Sequence, residues 1–216
     1  NKARILYSCE GLLLSLGHLL PDSPARIQGT LPLALHGRLF PGMITNVVIY
    51  LRDPVDYLFS RYIQIHTVRC GRGGSQDSEC VLTPNDFLRL SGELWLGRSR
   101  SQSVFSHIYQ RDLVASIEQM GLPVTVRSFE RHLVGAAQIT SEITGAFGLT
   151  IRDPDKINEA FRDQHFNTTD RDKEHALACI QKHLGFSSRN DLRQEFYAMA
   201  HADRLVQLAY QSCIFD

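Results

Sequence analysis

With 216 residues and 23 Lys+Arg against 23 Asp+Glu, the chain is long enough to bury a sizeable core as one domain. Its even charge argues against a basic nucleic-acid binder or a polybasic membrane surface. The apolar run "GLLLSLGHLL" is too short to span a bilayer, and no spacing among the five cysteines matches a zinc site.

In chain order, "RILYSCE" (Arg4 to Glu10) predicts a strand, followed by an apolar helix from Gly11. A stretch punctuated by Pro and Gly leads to "NVVIYLR" (Asn46 to Arg52), the clearest strand. Both strands are apolar with little alternation, as expected where both faces are buried. Asp53 then reads as an N-cap and Pro54 as a first helical residue. Val55, Leu58, Phe59, Tyr62 and Ile63 recur at helical spacing and predict the core-facing stripe.

Thr83 caps a further helix that opens at Pro84, and "SVFSHIYQRDLVASIEQMG" predicts an amphipathic helix that stops at Gly121. "PVTVRSFE" (Pro123 to Glu130) is a third strand. Three helices are expected beyond it, in "ITSEITGAFGL", after Thr169 and after Ser188. Strands separated by helices imply an α/β fold with a parallel sheet flanked by helices, ending in a helical third over residues 150–216 of the same 1–216 domain. In such sheets ligands sit at the carboxyl ends of the strands.

Cys9, Cys179 and Cys213 lie in apolar contexts and read as buried thiols. Cys70 and Cys80 bracket the polar stretch "GRGGSQDSE" and are either free or joined in a local disulfide.

The stretch "IYLRDPVDYLFSRY" carries the functional signal. Arg52 ends a strand beside a helix N-terminus, and Arg52, Asp56 and Ser60 recur at a spacing of four residues. A guanidinium, backbone N–H groups and a hydroxyl together suit a phosphate. The same spacing also fits an arginine clamped structurally by Asp53 or Asp56, and the pattern by itself does not separate the two.

This strand-turn-helix, with Arg52, Asp-Pro and then Ser60, resembles the 3′-phosphate motif of sulfotransferases that use 3′-phosphoadenosine 5′-phosphosulfate (PAPS). "ILYSCEGLL" is similar to the strand end that carries the catalytic base, which implies Glu10 in that role. "VTVRSFERHL" is similar to the strand ending in an aromatic-Glu pair, which implies Phe129 near the adenine. The resemblance spans Ile5 to Leu149 and is nearest the bacterial and carbohydrate-acting branch. It implies a P-loop-containing sulfotransferase-like fold, with PAPS as co-substrate and no metal.

The family's "PKSGTT"-like phosphosulfate loop is not present before Ile5, and "CGRGGSQ" falls after the 3′-phosphate motif, as a surface loop. The expectation is that an N-terminal strand-loop-helix is missing from the sequence. The C-terminal "RKG" of the cytosolic enzymes is also absent; "FRDQHFNTTDRDK" is the segment that would fall there.

The implied chemistry is sulfuryl transfer from PAPS to a hydroxyl of a glycan or small-molecule acceptor, with no nucleic-acid partner. A cytoplasmic location is expected from the bacterial likeness; the Golgi lumen is the alternative if the missing N-terminus carries an anchor. Glu10 also reads as a helix cap, and Phe129 as core packing. His36 and His107 are spare base candidates, although His107 and Tyr109 fit helix packing better. Arg69, Arg72, Arg98 and Arg100 lie in or near loops and either attract an anionic glycan or are merely solvated. Asn167-Thr168-Thr169 is a glycosylation sequon of the kind chance often supplies. Two other functions stay open: a sulfotransferase-like binding protein without catalysis, and a P-loop small-molecule kinase.

Overall fold

The structure, a computed structural model, describes residues 46–69, 81–97, 103–119, 121, 123–131, 139–148, 150–156, 159 and 170–215. Within them the chain is mostly helical and carries a parallel two-stranded sheet. Strand β1 (Val47–Leu51) runs into helix α1 (Pro54–Arg69), followed by α2 (Pro84–Leu96), a 3₁₀ turn at Val104–His107, α3 (Gln110–Glu118) and strand β2 (Val124–Ser128). Helices α4 (Ile139–Phe147), α5 (Asp170–Leu184), α6 (Arg189–Ala202) and α7 (Arg204–Gln211) complete the order. The strand predicted over Arg4 to Glu10 lies outside the described residues.

β1 and β2 pair in register from Val47↔Val124 to Leu51↔Ser128. Alternation places Ile49 and Leu51 on one face, where they pack on Leu113 and Ile117 of α3. Tyr50 and Arg127, paired across the strands, take the other face, where α4 brings Glu142. Asn46 stitches the sheet's start to α4, donating from Nδ2 to Thr125 Oγ1 at 3.0 Å and to the Ala146 carbonyl at 3.3 Å. The sheet therefore has a helix on each face, as an α/β arrangement requires.

A second, larger core surrounds α1. The predicted stripe is buried throughout, with Val55, Leu58 and Tyr62 fully enclosed. Phe87 from α2 and Phe196 from α6 meet Tyr62 with ring centroids 5.4 and 5.3 Å away. Further core residues come from α2, the 3₁₀ turn, α5, α6 and α7. His66, fully buried on α1, donates from Nδ1 to the Tyr62 carbonyl at 2.8 Å and accepts the Leu82 N–H on Nε2 at 3.1 Å. Those partners fix one neutral tautomer and anchor the chain as it enters α2. Among the described residues, no helix is long and apolar enough to cross a membrane.

Two helix expectations need correction. The segment predicted as one helix up to Gly121 is a 3₁₀ turn and a separate α3, broken at Ile108 and Tyr109. Tyr109 stacks on Trp95 with centroids 4.5 Å apart and donates to the Leu205 carbonyl at 2.8 Å, which holds it outside helical geometry. The segment after Ser188 likewise divides at Asp203. This residue ends α6 and caps α7, accepting the N–H groups of Leu205 and Val206 at 2.8 and 3.0 Å. Cys179 and Cys213 are free thiols and half-buried, rather than fully enclosed.

Candidate functional site

The chain turns from β1 into α1 at Arg52 and Asp53. Asp53 caps the helix: its Oδ1 accepts the N–H of Val55 at 2.9 Å and of Asp56 at 3.0 Å. Its own N–H donates to Glu130 Oε1 at 3.3 Å. These donors were expected to help hold an anion, and they are already engaged. A tethered carboxylate one residue ahead of the helix outcompetes any free ligand for the first amides. What the turn offers an anion is the Arg52 side chain.

Leu51↔Ser128 is the last rung of the sheet, and Arg52 and Phe129 follow it on the face shared with Tyr50 and Arg127. The Arg52 guanidinium carbon lies 5.1 Å from the Phe129 ring centroid. Its Nε points at Glu130 Oε1 across 3.7 Å, too far for a hydrogen bond, and is buried without one. Among the described residues, the forked Nη end donates no hydrogen bond. The side chain is 35% exposed. A planar cation thus lies over an aromatic ring with a carboxylate near its Nε, and a partly exposed guanidinium is a group that can grip an oxyanion bidentately.

Glu130 is the residue of the candidate site that the sequence reading does not single out. It accepts the Asp53 N–H, pairs with Arg52 and lies 3.4 Å from the Ser128 hydroxyl. Its sequence signal is the acid of the Phe-Glu pair at residues 129 and 130. The carboxylate beside Arg52 is therefore Glu130, neither Asp53 nor Asp56.

Asp56 serves a different contact. It accepts the Tyr197 hydroxyl and pairs with Arg193 Nη2 at 3.2 Å, tying α1 to α6. Arg193 also lies over the Tyr197 ring at 4.9 Å. Burial, then the Asp56 contact, pushes the Tyr197 hydroxyl up in pKa and keeps it a donor. Ser60 is exposed on α1, and no hydrogen bond joins it to Arg52 or Phe129. Of the residues picked from sequence, Arg52 and Phe129 are brought together, and Ser60 stays on the helix surface. Glu10 lies outside the described residues, as do His36, Cys9, Cys70, Cys80, Arg72, Arg98, Arg100 and Asn167–Thr169.

A small cleft of about 60 Å³ adjoins the end of β1, lined by Leu51, Arg52, Tyr57, His107 and Leu113 among others. His107 stacks on Tyr57 with centroids 5.4 Å apart, its Nδ1 3.0 Å from Ser106 Oγ. Burial, reinforced by the Arg61 charge, lowers its pKa from 6.5 to about 4. An imidazole that weakly basic is a packing group at neutral pH and a poor proton acceptor. On the opposite face, Tyr50 donates to Glu142 Oε1 at 3.4 Å, and Arg127 Nε lies 3.5 Å from the same oxygen. Burial, then the Glu142 charge, raises Tyr50 to about 12.

Among the described residues, no group of three or more His, Cys, Asp or Glu side chains is placed to hold a metal. No protein-family model, no curated protein and no solved structure matches the chain.

Proposed function

We propose that this chain is a PAPS-dependent sulfotransferase with a P-loop-containing sulfotransferase-like fold, acting on a hydroxyl of a carbohydrate or small molecule. The supporting observation is the Arg52 guanidinium at the carboxyl end of a parallel strand, 35% exposed and 5.1 Å from the Phe129 ring centroid, with Glu130 near its Nε. Arg52 takes the 3′-phosphate through two charge-assisted hydrogen bonds. Phe129, with one face already under the guanidinium, has its other face or edge for the adenine. The resemblance would add the Ser60 hydroxyl as a further ligand, although that side chain is exposed on α1 and makes no hydrogen bond to Arg52. Glu10, by resemblance, is the base. The acceptor oxygen attacks sulfur, its proton passes to the Glu10 carboxylate, and the bond from sulfur to the bridging phosphate oxygen breaks, releasing adenosine 3′,5′-bisphosphate (PAP).

The second reading is a sulfotransferase-like binding protein without catalysis. It draws on Glu130, because a carboxylate at Arg52 Nε is also what a structural clamp needs. Turnover separates the two. The full chain is mixed with PAPS and a panel of glycan and small-molecule hydroxyl acceptors, and acceptor-dependent PAP release is followed. Transfer is expected for at least one acceptor class, and Glu10→Gln should slow it by about 10²-fold while PAP binding persists. PAP binding without acceptor-dependent release would favour the binding protein.

A further inference from the structure

The turn that carries Arg52 has a back wall built from the far end of the described chain. Gln110, only 3% exposed at the start of α3, donates from Nε2 to the Arg52 carbonyl oxygen at 2.9 Å. Its Oε1 accepts the Ile214 N–H at 3.0 Å, and its own backbone N–H donates to Ser212 Oγ at 3.1 Å. The Arg111 N–H donates to the Ser212 carbonyl at 3.1 Å. One residue past Arg52, Asp53 Oδ2 accepts the Tyr210 hydroxyl at 3.0 Å. Burial and the adjoining Asp53 charge push the Tyr210 pKa up, so the phenol stays a donor.

These contacts act on the peptide that aims the guanidinium. Arg52 falls between the last residue of β1 and the first of α1, so its carbonyl belongs to neither the sheet ladder nor the helix. Gln110 gives that carbonyl its partner. Both ends of the Gln110 amide are committed, one as donor and one as acceptor, so only one orientation of the side chain serves. Asp53, whose cap sets the entry angle of α1, is held in turn by Tyr210. A fork that must meet two phosphate oxygens at once tolerates little displacement of its backbone.

We infer that Gln110 and Tyr210 are positioning residues for the anion site: through them the segment from Tyr210 to Ile214 latches the Arg52–Asp53 turn and sets its selectivity for a 3′-phosphate. The inference rests on the reading of Arg52 as the 3′-phosphate ligand.

The test is the ratio of affinities for PAP and for adenosine 5′-monophosphate, measured by calorimetry on the full chain. Gln110→Glu keeps the shape but turns an acceptor toward the Arg52 carbonyl. It should reduce the ratio about tenfold, the scale typical of losing a supporting contact, with binding of the monophosphate nearly unchanged. Tyr210→Phe removes one hydroxyl and should reduce the ratio by a smaller factor. A merely structural role would weaken both ligands together and leave the ratio fixed, which would overturn the inference. Should Gln110→Glu fail to fold, Tyr210→Phe decides by the same criterion. The parent protein and Arg52→Ala separate the two levels. No preference for PAP in the parent, or one that survives Arg52→Ala, defeats the reading of Arg52 and the latch with it. A preference lost in Arg52→Ala but intact in both latch variants defeats the latch alone.

Discussion

At Arg52 two influences oppose one another. Phe129 and the open fork favour an incoming anion, while Glu130, 3.7 Å from Nε, offsets part of the charge. The pair is about two-fifths exposed, so solvent screens it. Glu130→Gln keeps an acceptor for the Asp53 N–H and should change stability by less than ~1 kcal/mol in urea unfolding. A loss several times larger would mean that Arg52 and Glu130 form a structural clamp first.

His107 gives a pH prediction. Its pKa falls from 6.5 to about 4 on folding, so the unfolded chain takes up the proton first as pH drops. Stability is unaffected by this group above pH 6.5 and declines as pH falls from 6.5 towards 4. The loss should be roughly 3 kcal/mol by pH 4, and His107→Asn should flatten that part of the pH profile. An unchanged profile in the variant would show that the imidazole is not held neutral by the fold.

At the level of elements, α1 links the core to the site. Its cap, Asp53, accepts two helix amides and the Tyr210 hydroxyl. Asp53→Ala should therefore cost about 2 kcal/mol, the upper end for a cap. Thr83→Ala, which removes the hydroxyl that accepts the Asp86 N–H at 3.1 Å, should cost about 1 kcal/mol. Chemical denaturation of the two variants compares them, and equal losses would mean that the Tyr210 bond adds nothing.

Much at this scale was legible in the sequence. Val47–Leu51, both caps and the stripe from Val55 to Ile63 follow from local pattern and cap chemistry. The breaks at Tyr109 and Asp203 were not, because the first is set by Trp95 and Leu205, remote in sequence. The Phe-Glu pair marks Glu130 in the sequence, but its partners do not follow from it: Arg52 and Asp53 reach it only because β1 pairs with β2 in this register.

At the scale of the whole molecule, the described residues form two cores of unequal size, a small one between sheet and α3 and a larger one around α1. Phe196 is at the centre of the larger, with Phe59, Tyr62 and Phe87 rings all within 6.0 Å of its centroid. Phe196→Ala should cost 3 to 5 kcal/mol, roughly the range for emptying an aromatic core site. A change below ~1 kcal/mol in thermal or urea unfolding would mean that α6 is not integral to the core. The α/β class was readable from alternating strands and helices, whereas the share of helix around α1 was not, since it depends on how α5, α6 and α7 converge on one face of that helix.

The central claim is that Arg52 selects a 3′-phosphate. Its most direct test is calorimetric binding of PAP and of adenosine 5′-monophosphate to the full chain and to Arg52→Ala. The predicted result is a loss of at least ~2 kcal/mol in PAP affinity, roughly 30-fold, with the monophosphate nearly unaffected. Equal losses for the two ligands, or no preference for PAP before the substitution, would contradict it.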